Sequence, residues 1–187
     1  MKRLFSLVCL SMLAIAVSAQ ITWNAKAGIG SATCYGDAEG LKSHFVGKIG
    51  VGIEKPLTAD WSLMPSLEFA AKGTKEEYKD NYGYYSFEIN LYYLQIPIMA
   101  AYRINLSEQW NTTLKVGPYF GYQIANNSDG DDEGINKFEA GLDLGVDFEH
   151  GRFVFGGEIE WGVTPLVEQN GQSIKNMAFY ATVGWKF

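Results

Sequence analysis

At 187 residues the chain has the length of one domain. Its 21 acidic and 15 basic side chains give a formal charge of −6, a balance that argues against nucleic acid or an anionic surface as partner. One of its two cysteines, Cys9, lies in an N-terminal apolar run, so Cys34 stands alone in the remainder and no internal disulfide is expected there.

Residues 1–19 read as a secretion signal. Lys2 and Arg3 form a basic start, residues 4–16 an apolar core, and Val17-Ser18-Ala19 a small-residue cleavage site before Gln20. The apolar run is too short to span a bilayer comfortably. Cys9 follows Val8 rather than a small residue, which argues against a lipoprotein cysteine. The expected domains are thus a signal peptide at 1–19, cleaved after Ala19, and a mature domain at 20–187. Nothing in that domain reads as a transmembrane helix. A mature chain that crosses a membrane must then do so as a closed barrel, which satisfies every backbone group in lipid.

Period-two alternation of apolar residues, the mark of a strand with one greasy face, recurs along the mature sequence. The first strand is predicted over 21–33, with Ile21, Trp23, Ala25, Ala27 and Ile29 on one face. The second, over 44–55, carries Phe45, Ile49, Val51 and Ile53. After a turn at 57–60, the third carries Trp61, Leu63, Leu67, Phe69 and Ala71, and ends near Lys72. The fourth, over 84–104, has two phases. Phe87, Ile89, Leu91 and Tyr93 share one; Leu94, Ile96, Ile98, Ala100 and Tyr102 share the other. A bulge near 92–94 would join them, and Pro97, which removes a ladder donor, adds irregularity.

The fifth strand alternates from Trp110 to Ile124, with Lys115, Tyr119 and Gln123 on its opposite face. The sixth alternates from Phe138 to Phe148 against Glu139, Asp143, Asp147 and Glu149. A tight turn at His150-Gly151 leads to the seventh, with Phe153, Phe155, Ile159, Trp161 and Val163. The eighth, over 177–187, alternates Met177, Phe179, Ala181, Val183, Trp185 and Phe187.

The fold expected is all-β: an eight-stranded antiparallel up-and-down transmembrane β-barrel. Eight is even, and about ten residues suit a tilted crossing. Connections 34–43, 73–83, 125–136 and 164–175 are long and polar, whereas 56–60, 105–109 and 150–151 are short. That asymmetry matches long outer loops and short periplasmic turns. Trp23, Trp61, Trp110 and Trp185 then fall at the periplasmic ends and Trp161 near an outer end, as an interfacial girdle requires.

Alternation alone does not say which face points inward, because a soluble lipocalin-like barrel alternates with its faces reversed. The polar face carries Lys26, Lys48, Glu54, Glu68, Glu88, Lys115, Glu139, Asp143, Asp147, Glu158, Glu160 and Lys186, with many glycines. Opposed charges and glycines can pack a narrow lumen, and the pure apolar face suits lipid.

Several segments resemble the PorT-like outer-membrane β-barrel domain family of Gram-negative bacteria, over essentially the whole mature chain. They are Lys26-Ala27-Gly28-Ile29-Gly30, the run from Ser66 to Gly73, and the most specific, Leu91-Tyr92-Tyr93-Leu94-Gln95-Ile96-Pro97-Ile98. Val116-Gly117-Pro118-Tyr119-Phe120-Gly121-Tyr122 and the final Val183-Gly184-Trp185-Lys186-Phe187 also fit. The resemblance implies an outer-membrane barrel of OmpA/OmpX-like architecture, with a terminal aromatic similar to the signal read by the barrel-assembly machinery. It implies no enzymatic activity, and one branch of the family takes part in protein secretion and gliding.

Candidate sites are few. Asp129, Asp131, Glu133 and Gly134 begin like a calcium loop, but the twelfth position, which needs a bidentate Glu, is Ala140. A solvated acidic outer loop is the expectation, and no metal or cofactor is assigned. His44, beside Ser43, lies near the outer rim, where barrel hydrolases place a histidine; His150 lies at the opposite end. No Gly-x-Ser-x-Gly or His-Glu-x-x-His motif occurs. Tyr78, Tyr82, Tyr84 and Tyr85, among charged residues, are the partner-binding candidates, for a surface protein or a glycan.

The function expected is a non-enzymatic integral outer-membrane barrel with a side-chain-filled lumen, structural or surface-interacting through its outer loops. Its partners would be outer-membrane lipid and, during biogenesis, the assembly machinery. A soluble periplasmic ligand-binding barrel and a lipid-modifying barrel enzyme are the alternatives.

Overall fold

A computed structural model describes residues 21–37, 41–80, 83–127, 136–169 and 172–187. The signal segment and Asp129, Asp131, Glu133 and Gly134 lie outside the described residues. Eight strands form the wall: β1 (Thr22–Gly36), β2 (His44–Pro56), β3 (Trp61–Asp80), β4 (Gly83–Asn105), β5 (Trp110–Asn126), β6 (Phe138–His150), β7 (Phe153–Gly162) and β8 (Gln172–Lys186). Each pairs antiparallel with the next, and β1 pairs with β8 from Asn24↔Lys186 to Gly36↔Ile174. The sheet is therefore closed, with no unpaired edge around the wall.

The tight turns follow one local design. Leu57-Thr58-Ala59-Asp60-Trp61 and Leu106-Ser107-Glu108-Gln109-Trp110 each close with the leucine N–H donating to the tryptophan carbonyl, at 2.8 and 2.9 Å. In each the tryptophan N–H donates to the hydroxyl at the second position, at 3.0 Å to Thr58 and 3.3 Å to Ser107. The third hairpin turns on Gly151-Arg152, with His150 opposite Phe153 and Gly151 at φ +60°. Trp23, Trp61, Trp110 and Trp185 sit at this short-turn end and Trp161 at the other, all with exposed rings.

Three features differ from the sequence expectation. First, β3 and β4 do not stop at a polar loop over 73–83. Their ladder runs without interruption from Glu68↔Gln95 to Asp80↔Gly83, so the strands reach 20 and 23 residues. About ten suffice to cross a membrane, and the excess forms a ribbon beyond the rim. A ribbon with neither lipid nor lumen beside it has no cause to alternate apolar and polar residues. Gly73 begins it at φ +127°, where an added Cβ would meet the Ile89 carbonyl at 2.0 Å.

Second, β4 keeps one phase. Leu91, Tyr93, Gln95, Pro97, Met99 and Ala101 are buried, while Leu94, Ile96, Ile98 and Tyr102 are exposed. The extra residue belongs to β5, where Ala125 and Gln123 oppose Tyr92 and Tyr93 and Ile124 is skipped. Leu91 and Tyr93 are simply apolar side chains facing inward.

Third, β1 and β8 run further than predicted. Cys34 is thereby a buried strand residue rather than a loop residue, its thiol donating to Asn176 Oδ1 at 3.3 Å. β8 begins at Gln172, folded back on the short strand Val167–Gln169. A further short strand, Leu41–Lys42, flanks β3.

Candidate functional site

The orientation of the two faces is unambiguous. Ile29, Phe45, Ile49, Leu67, Leu94, Val116, Phe120, Leu144, Phe179 and Val183 are among the exposed large apolar side chains, whereas the charged residues are buried. Water would not tolerate so continuous an apolar surface, and a soluble lipocalin-like barrel needs the reverse arrangement. No described helix is long and apolar enough to cross a membrane; the crossing is made by strands.

The lumen is filled by charge rather than by a greasy core. Among the described residues it holds eight buried carboxylates: Glu54, Glu68, Glu139, Asp143, Asp147, Glu149, Glu158 and Glu160. Six cations meet them: Lys26, Lys48, Lys72, Arg103, Lys115 and Lys186. Alternation places these residues inward, and the stagger of a closed barrel decides which of them meet.

Three layers result. At the short-turn end Lys186 bridges Glu54 at 2.7 Å and Glu149 at 2.8 Å. Arg103 binds Glu54 and lies 3.8 Å from Glu149. Ser62 and Thr113 donate to the same two carboxylates at 3.1 and 2.9 Å.

In the middle, Lys26 and Lys115 share Asp147 at 2.8 and 2.9 Å and both reach Glu158. Lys48 joins Glu68 at 3.3 Å, Glu160 at 3.0 Å and Glu158. The Gln95 amide donates to Glu68 at 3.2 Å and to Glu160 at 2.8 Å.

Toward the ribbon, Lys72 lies 2.7 Å from both Glu139 and Glu160 and 4.1 Å above the Tyr119 ring, a cation–π arrangement. Tyr119 donates to Glu139 at 2.5 Å, as does the Asn176 amide, which also reaches the Tyr93 hydroxyl at 3.2 Å. An added Cβ at Gly141 would meet the Tyr119 ring at 2.5 Å; the glycine makes room for that tyrosine. Taking each ion out of water costs several kcal/mol, so such a lumen holds only if its members satisfy one another.

The predicted lumen set is almost fully brought together. Glu88 is the exception: it is exposed, on the part of β4 opposite Lys75 in the ribbon. Lys72 and Glu149, on the polar faces of their predicted strands, join this lumen set, and so does Arg103, which the sequence reading does not assign because it stands next to a turn. His44 is buried, its Nε2 3.0 Å from Asn90 Oδ1, so the ring meets an amide rather than a serine and a carboxylate. His150 packs on Trp110 at 4.6 Å at the far end. Among the partner-binding candidates, the register sets Tyr78 opposite Tyr85 and Lys79 opposite Tyr84 along the ribbon. Tyr82 lies outside the described residues. No group of three or more metal-binding side chains is found among the described residues.

Residues 17–168 match the family model described as "Outer membrane protein beta-barrel domain". The chain belongs to that family. It is an integral outer-membrane barrel, and the family match does not extend to a PorT-specific assignment. Among solved structures it is similar to Neisserial surface protein A, at 13% identity over 88% of this chain and 97% of that one, TM-score 0.54. It is similar also to OprG from Pseudomonas aeruginosa, at 9% identity over 90% of this chain and 97% of that one, TM-score 0.53. At these identities the likeness is one of fold. No curated protein sequence matches the chain.

Proposed function

We propose that the protein is a non-enzymatic outer-membrane barrel with a closed lumen, whose work is done by the ribbon it holds outside the membrane. The observation that carries this reading is the layered ion-pair network: charged side chains span the lumen from Glu54 to Glu139, and a cavity beside Asp143 measures about 20 Å³. An eight-stranded barrel has an interior just wide enough for side chains, and here they are bonded to one another across it.

The pairing of His44 with Asn90 supports a structural role for that histidine. The short turns and both described chain ends lie at one rim and the β3–β4 ribbon at the other. This supports a periplasmic turn end and an outer ribbon carrying Tyr78, Tyr82, Tyr84 and Tyr85 toward a surface protein or glycan. A PorT-like membership, cleavage after Ala19 and reading of Phe187 by the assembly machinery belong to the same proposal.

Reconstitution in planar bilayers tests the lumen: the reading expects no conductance steps, and a stable open level would overturn it. Trypsin applied to intact cells tests the sidedness. Cleavage is expected after Lys75 or Lys79, with Lys55 protected until the outer membrane is opened.

A further inference from the structure

Seven of the eight lumen carboxylates have a cation of the protein beside them. Asp143 does not: among the described residues none forms an ion pair with it, and its buried Oδ1 has no hydrogen-bond donor. Its neighbours explain why. The Lys48 ammonium, in the same layer, donates to Glu68 and Glu160 and forms a third ion pair with Glu158. Both amide hydrogens of Gln95 are likewise taken by Glu68 and Glu160. The ladder offers no help, since Asp143 stands opposite Gly117 on β5 and Glu160 on β7.

Asp143 is 2% exposed and lines the 20 Å³ cavity together with Asn24, Lys26, Glu68, Lys115 and Glu158. That volume suits one particle the size of a water molecule. Water would hydrogen-bond the carboxylate but bring it no counter-charge. An uncompensated buried charge is strongly destabilising. Carboxylate and amide oxygens are ligands for hard cations. Lys26 and Lys115 on the same wall, and a single unpaired carboxylate, disfavour a doubly charged ion. We propose that the cavity beside Asp143 binds one small alkali cation, which gives that carboxylate the ion-pair partner no side chain supplies.

The test uses the whole folded barrel in detergent, with unfolding followed by its heat-modifiable gel mobility in sodium chloride and in choline chloride of equal ionic strength. Choline is too large for the cavity. A midpoint about 3–6 °C higher in sodium is expected for ion binding at about ten times its dissociation constant, and Asp143→Asn should abolish the difference. Thallium(I), a monovalent stand-in with strong anomalous scattering, reads the site in the unaltered protein should that variant fail to assemble. Its peak is expected beside Asp143. Equal midpoints in the two salts, a sodium effect that survives Asp143→Asn, or no thallium beside Asp143 would overturn the proposal in favour of water or a proton.

Discussion

The lumen and the outer ribbon are built from similar residues by opposite means. Between Glu54 and Glu139 each lysine touches two or three partners, many of them supplied by strands distant in sequence. Lys26 reaches Asp147, 121 positions away, and Lys48 reaches Glu160, 112 positions away. Beyond Gly73 the described ribbon is carried by a backbone ladder between two strands that are neighbours in sequence, flanked at Lys75 and Glu76 by the short strand Leu41–Lys42. The same residue type is thus expected to be structural in one place and expendable in the other. Charge inside the barrel is held in place by the cost of its burial, while charge on the ribbon is, in the proposed function, free to serve recognition.

The largest effect that would break this contrast is the loss of a shared ammonium. Lys48→Met takes from Glu68 its ammonium partner and from Glu158 and Glu160 one of theirs, and should cost about 3–5 kcal/mol of folding free energy, as one-sided removal of a buried pair does. Lys79→Met on the ribbon should stay within about 0.5 kcal/mol. Urea titration of folding into lipid vesicles measures both; equal effects would deny that the lumen network is structural.

The outer wall sharpens the comparison from the other side. Val116 is exposed on β5, six residues from Trp110 and six from Tyr122, and so near the bilayer midplane. Val116→Arg should cost about 2–4 kcal/mol in vesicles, although the same side chain type is welcome in the lumen at Arg103. Next comes Tyr119→Phe. It removes one hydroxyl donor to Glu139 and leaves the ring beneath Lys72 in place, so about 1–3 kcal/mol is expected.

These contrasts also mark what the sequence could show. Wherever one face meets lipid and the other a packed lumen, period two is enforced, and the eight strands and most lumen charges are legible. Where that enforcement ends, legibility ends. The ribbon's Gly73-Thr74-Lys75-Glu76-Glu77 has no apolar rhythm, and its strand character is visible only in the pairing with β4. Leu91 and Tyr93 mislead in the opposite sense, being apolar yet inward, because the lumen near Lys72 takes aromatic rings as cation partners. Glu88 reads as a lumen charge by parity but stands past the rim. That Asp143 lacks a partner is not readable from spacing at all. It depends on which other carboxylates Lys48 pairs with.

The smallest expected effect is the most informative about function. Replacing residues 77–86 by Asn-Gly would close the ribbon directly between Glu76 and Phe87, which are already opposite each other in the ladder, through a turn suited to a two-residue hairpin. Shortening a loop changes its closure entropy only slowly with length, and the removed segment adds no lumen pair to those described. Stability and heat-modifiable mobility should therefore stay within about 1 kcal/mol of the parent. Tyr78, Tyr82, Tyr84 and Tyr85 leave with the segment, so binding of the folded barrel to a glycan array should disappear. A trimmed barrel that still binds would place recognition on other outer connections. One that no longer folds would make the ribbon a nucleus for β3–β4 pairing, and the division between a structural lumen and an expendable ribbon would fail.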